Sequence, residues 1–207
     1  VCALLPLLKA PTLVLVFTPT LLNALIWSRA ARFSAQARQN QNGQPPLLHA
    51  DDLGLSQGVD AAILDLAQSG RLQGASLLVN GPSATAAVEA WRDLADPPPL
   101  TLHLCLTEGH RLPNCPDLPT GFGGLLLASL LPWQRRRIAP QLRTVLLQQI
   151  SRFRQLTGLQ HIRLDGHQHI HLVPLVLDAV LDLSRSEGIT WVRTTREPLP
   201  EGLSLRL

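Results

Sequence analysis

The chain has 207 residues, 45% of them hydrophobic and 16% charged, with a formal net charge of +3. That length supports one sizeable domain with its own core, and the composition excludes a disordered chain. All but Lys9 of the 18 basic residues are arginine, and the only dense basic run is Arg135-Arg136-Arg137; without a longer basic stripe and interleaved aromatics, no nucleic-acid partner is expected.

In chain order, residues 10–27 come first as an almost wholly apolar stretch near the lower length limit for a membrane span. Pro11, Pro19 and Asn23 interrupt it. It reads as an accessory helix or leader, with a membrane-associated helix as the alternative. Residues 34–46 are polar and end in Pro45-Pro46, the composition of a linker. Two parts follow: an apolar segment plus linker over residues 1–46, and a domain over residues 47–207.

The domain opens with a short strand from Leu47 to Ala50, and Asp51-Asp52-Leu53-Gly54 forms the loop behind it. Ser56 can cap a helix whose inner face carries Val59, Ile63, Leu66 and Ala67, and Gly70 stops it. Residues 75–79 form a second strand, 83–94 a second helix, and 100–106 a third strand. A long Gly- and Pro-containing loop is expected over residues 107–134, a length that usually signals function. A helix over 139–157 carries an apolar stripe of Leu142, Val145, Leu146, Ile150 and Phe153. A fourth strand over 161–164, a helix over 172–187 and a fifth strand over 189–192 complete the pattern. Alternation of strand and helix implies a parallel α/β sheet with right-handed crossovers.

The cysteines carry little chemistry. Cys2, Cys105 and Cys115 are odd in number and contain no C-x-x-C pair, which argues against a disulfide framework or a thiolate zinc site and fits a reducing cytoplasm. Cys105 reads as a small core residue.

Three polar clusters fall at strand ends. Asp51-Asp52 follows strand one, His103 lies in strand three with Glu108 behind it, and Asp165-Gly166-His167-Gln168-His169-Ile170-His171 follows strand four. In parallel α/β folds the carboxyl ends of the strands share one side, where active sites gather, so the clusters are expected to converge. Aspartate and imidazole together suit a divalent metal. One carboxylate and two imidazoles leave positions open for water and substrate, and a second carboxylate can accept a proton. Adjacent aspartates on an extended strand point in opposite directions, so Asp51 and Asp52 need a turn, or separate roles. In extended conformation His167, His169 and His171 share one face. His49 and His161 read as structural, and His110 as a loop residue.

The segments H-A-D-D-L-G-L-S (49–56), L-L-V-N-G-P (77–82), L-H-L-C-L-T-E-G (102–109) and L-D-G-H-Q-H-I-H-L-V-P (164–174) together resemble the YdjC-like (ChbG/HpnK) carbohydrate deacetylase family, over roughly residues 47–197. The resemblance implies a distorted (β/α) TIM-like barrel, here incomplete, that removes the N-acetyl group from an amino sugar or N-acetylated oligosaccharide. It implies one divalent ion, Mg2+ or Zn2+, with Asp52, His103 and His167 as ligands and Asp51 as general base. Asn80, Glu108, His169 and His171 become candidate substrate-binding positions, and a homodimer is compatible with the family. Leu53 stands where the family usually has Phe, and Thr101 where it often has Gly. Family members also continue beyond the end of this chain to a His-containing segment that supplies a general acid, so a fragment lacking that acid is expected. Competing readings are another Asp/His metal hydrolase acting on phosphate esters, and an inactive remnant.

Overall fold

The computed structural model describes residues 48–194 apart from residues 109 and 120. The apolar stretch and linker expected within residues 1–46 lie outside the described residues. Among the described residues no helix is long and apolar enough to cross a membrane.

Five strands form one sheet: β1 (His49–Leu53), β2 (Gly74–Leu77), β3 (Leu100–Leu104), β4 (Ile162–Gly166) and β5 (Ile189–Val192). They lie side by side in chain order, and every neighbouring pair is parallel. Parallel neighbours require crossovers. These are α1 (Gln57–Gln68), α2 (Ala84–Arg92), the pair α3 (Gly121–Leu130) and α4 (Pro132–Thr157), and α5 (Pro174–Ser184). Sequential order with right-handed crossovers keeps the helices on one face, as in a (β/α) barrel and unlike a doubly wound sheet. Register shifts in β1 and between β4 and β5 distort this barrel-type sheet.

Strand periodicity sorts the two faces. Leu77, Leu100, Leu102, Leu104, Ile162 and Leu164 turn towards the helices and join one hydrophobic core with Ile63, Val88, Leu146, Ile150 and Phe153. The intervening positions, Ser76, Thr101, His103 and Asp165, are polar, yet all four are buried. The helix-free face of the sheet is therefore a polar interior.

Two elements differ from the sequence reading. Residues 107–134 contain a helix: α3 forms although Gly123 and Gly124 are poor helix formers, because Leu125, Ala128 and Ser129 are buried. Helix α4 begins seven residues earlier than expected, at Pro132 rather than 139. Proline is tolerated in the first helical turn, and Pro140 is accommodated inside the helix on its exposed side. Elsewhere the boundaries move by a few residues. The most consequential is β1, which runs on to Leu53 and so includes both aspartates.

Candidate active site

The aspartate pair is placed by an irregular backbone. Asp52 has φ 69° and Gly54 φ 94°, and the pairing with β2 shifts register between Ala50 and Leu53. A left-handed residue in a strand breaks the alternation of side chains. Asp51 and Asp52 therefore both engage the polar interior, resolving the conflict that an extended strand would impose. The loop is fixed from two sides. The Gly54 N–H donates to the buried Asp60 carboxylate at 2.6 Å, and the loop after β2 packs so closely that a Cβ on Gly81 would lie 2.0 Å from the Gly54 carbonyl oxygen. As expected, Ser56 caps α1 through the Val59 N–H.

Around Asp52 two histidines converge. Its Oδ1 lies 3.2 Å from His103 Nε2 and 2.8 Å from His167 Nδ1. One donor atom from each of the three residues lies within 4.8 Å of the others. Tetrahedral ligands at ~2.0–2.1 Å from an ion stand roughly 3.4 Å from one another, so these groups can close on a single cation with small adjustment. Both donor types suit a divalent metal.

Behind the three lies a second, buried layer. Asp165, 1% exposed, accepts from His103 Nδ1–H at 2.6 Å and from the Ser76 hydroxyl at 2.6 Å. With Nδ1 held by Asp165, Nε2 is the nitrogen that faces Asp52 and the one a cation would take in place of its proton. Arg193, just past β5, donates to both oxygens of Asp51 at 2.9 Å and forms an ion pair with Asp165 at 2.8 Å. The Arg193 carbonyl in turn accepts from His171 Nε2–H at 2.9 Å. His49 meets Ser76 Oγ at 2.7 Å. His49, Asp51 and Asp165 also offer a metal-like grouping, but the Arg193 guanidinium already bridges its two carboxylates and supplies the positive charge.

The electrostatics follow from these contacts. Burial disfavours a charged His103, but the Asp165 and Asp52 carboxylates outweigh it and raise its pKa to about 9. Asp52 is held below the usual carboxylate range chiefly by its hydrogen bond to His103. Asp165 is also lowered: burial opposes this, and the hydrogen bond to His103 overcomes it. His49 and His171 are lowered, mainly by burial.

The remaining sequence candidates divide. Glu108 reaches His167 Nε2 at 3.4 Å and accepts from Gln168 at 3.0 Å. Asn80 donates to the Glu108 carbonyl at 3.1 Å, and its buried Oδ1 has no partner among the described residues. Both line a cavity of about 230 Å³ with Cys105, His110 and Gln149. The shared extended face expected for His167, His169 and His171 does not exist. The segment is a 3-10 turn (His167–Leu172) with Gln168 and His169 at positive φ, so His169 is exposed and His171 is fully buried. Of the three, His167 alone reaches Asp52. His161 is exposed, and Cys105 is buried as expected of a core residue.

Asp165, Arg193, Ser76 and His49 were missed as site residues. Asp165 carried a signal, since an aspartate alternating with Leu164 in an apolar strand has to face something polar. Arg193 carried none, because its role depends on which strand lies beside β4.

A family model described as YdjC-like protein matches residues 47–206. The chain belongs to the YdjC-like family. A carbohydrate deacetylase from Mus musculus is 35% identical over 162 residues, covering 74% of this chain and 50% of that protein. This YdjC-like chain thus spans about half the length of that curated relative. A crystal structure from Enterococcus faecalis V583, described as a candidate cellobiose-phosphate cleavage protein, superposes with a TM-score of 0.57 at 20% identity. The match covers 74% of this chain and 59% of that one and bears on the fold alone.

Proposed function

We propose that this YdjC-like chain carries the metal-binding half of a deacetylase acting on N-acetylated amino sugars or oligosaccharides. The observation that supports it most is the meeting of Asp52, His103 and His167, drawn from the ends of three strands. The family and the name of the mouse relative support the substrate class.

In this reading Asp52, His103 Nε2 and His167 Nδ1 hold one divalent ion. Two imidazoles beside one carboxylate suit zinc better than magnesium. Such an ion supplies Lewis acidity, lowering the pKa of water and polarising a carbonyl oxygen. The chain's own residues do the rest. Asp165 keeps the His103 proton on Nδ1. Arg193 holds the Asp51 carboxylate by both oxygens, and Asp51 accepts a proton from the attacking water. Asn80 and Glu108, on the cavity wall, contact the sugar. Glu108 also restrains the far side of the His167 ring.

The test is acetate release from N-acetylated oligosaccharides, run beside hydrolysis of sugar phosphate esters with the same preparation. The proposal expects acetate and a free amine with no phosphate release, abolished in Asp52→Ala. Ester turnover without acetate would reject it.

A further inference from the structure

Helix α3 is apolar on both sides. Leu125 and Ala128 are buried, yet Phe122, Leu126, Leu127 and Leu130 on the other side are exposed, Leu130 to 68%. A helix apolar all round is normally enclosed, and an exposed patch of large apolar residues marks an interaction surface. The surface continues onto α4, where Trp133 is 65% exposed and Arg136 and Arg137 share its face at the i+3 and i+4 positions. Arg143, two turns after Arg136, is exposed as well.

The charge pattern identifies the partner. Between Asp117 and Asp165 the chain contains seven arginines and no carboxylate. Arg135 is neutralised by Asp178 and Arg154 by Glu187. Among the described residues, Arg136, Arg137 and Arg143 pair with no acidic group. Against a second copy packed face to face, these arginines would meet like charge. A nucleic acid would have little use for a row of leucines. Leucine and phenylalanine on α3 beside tryptophan and arginine on the first turns of α4 is instead the composition of a surface that sits in the boundary between lipid headgroups and acyl chains. Arginine near an anionic leaflet adds attraction that fades with salt.

We propose that the α3–α4 elbow is a peripheral docking surface for an anionic lipid bilayer, with Phe122, Leu127, Leu130 and Trp133 entering the interface and Arg136 and Arg137 on the headgroups. This is independent of the deacetylase reading, and because every variant below retains the apolar stretch at residues 10–27, a difference in binding between them reports on the elbow alone.

The experiment is co-sedimentation of the full chain with vesicles of phosphatidylcholine alone or of phosphatidylcholine with phosphatidylglycerol added. The protein is expected to favour the anionic vesicles, and Arg136→Gln/Arg137→Gln to weaken that binding about 30-fold. Leu127→Asp/Leu130→Asp should bind the anionic vesicles far more weakly than the wild type while circular dichroism stays unchanged. Equal binding by wild type and both variants, equal binding to neutral vesicles, or no binding at all would overturn the proposal. So would Leu127→Asp/Leu130→Asp converting a dimer to a monomer without altering vesicle binding, since the face would then belong to a second copy.

Discussion

The His103 imidazole sits between two carboxylates that pull on different nitrogens, Asp165 on Nδ1 and Asp52 on Nε2. Replacing Asp165 by asparagine keeps the shape but offers an amide that can donate to Nδ1, driving the ring proton to Nε2 and blocking the ligand atom. We expect Asp165→Asn to weaken zinc affinity by about 10–100-fold, read by calorimetry beside a melting curve that shows the fold intact. Asp51→Asn should behave in the opposite way. It touches Arg193 and none of the three ligands, so zinc affinity should hold while turnover falls by roughly 10²–10⁴. The same contacts set a pH dependence. In the metal-free protein His103 titrates at about 9 against an ordinary 6.5. Its contribution to stability is complete below the lower value and is lost as pH rises through the higher one. Urea unfolding of metal-free protein from the ordinary value of 6.5 to just above the raised value of about 9 should show stability falling with pH, and His103→Gln should flatten the slope. Of these residues, the convergence of Asp52, His103 and His167 was legible because each lies within or directly follows a recognisable strand. His169 and His171 were misjudged because an extended face was assumed where the backbone turns through two positive φ values.

Among the elements, the loops after β1 and β2 act as a unit. Gly54 is left-handed, and Gly81 lies against its carbonyl with no space for a side chain. Gly81→Ala should force the loops apart at a cost of about 1–3 kcal/mol, measured by denaturant unfolding, and should lower zinc affinity because Asp52, near the end of β1, lies two residues before the displaced Gly54. Gly58→Ala makes a suitable control, since a Cβ there meets nothing within 4 Å. The strands and the helices α1, α2 and α5 were readable from hydrophobic period and, for α1, from the stop signal at Gly70. Helix α3 was not. Its glycines and the flanking prolines look like loop punctuation, and burial of Leu125 and Ala128 against neighbouring helices is a tertiary effect that local propensity does not report. Proline at 132 and 140 hid the first turns of α4 for the same reason.

Across the molecule, each of the five strands contributes to one polar network: Asp52 from β1, Ser76 from β2, His103 from β3, Asp165 from β4, and Arg193 immediately after β5. Site assembly and sheet assembly are thus the same event, and a ligand that binds the assembled site should stabilise the whole sheet. The alternation of strands and helices announced a parallel sheet, and the resemblance added the barrel. Which side chains would meet across the sheet was legible for the three candidate ligands. It was not for Arg193, whose partners lie 142 and 28 positions away on strands it does not follow in sequence. Zinc titration by calorimetry tests the central claim most directly, comparing the wild type with Asp52→Ala, His167→Ala and the exposed His169→Ala. One site is expected in the wild type and in His169→Ala, with at least a hundred-fold loss in the other two, roughly 3 kcal/mol or more. Equal binding by all four proteins would contradict it.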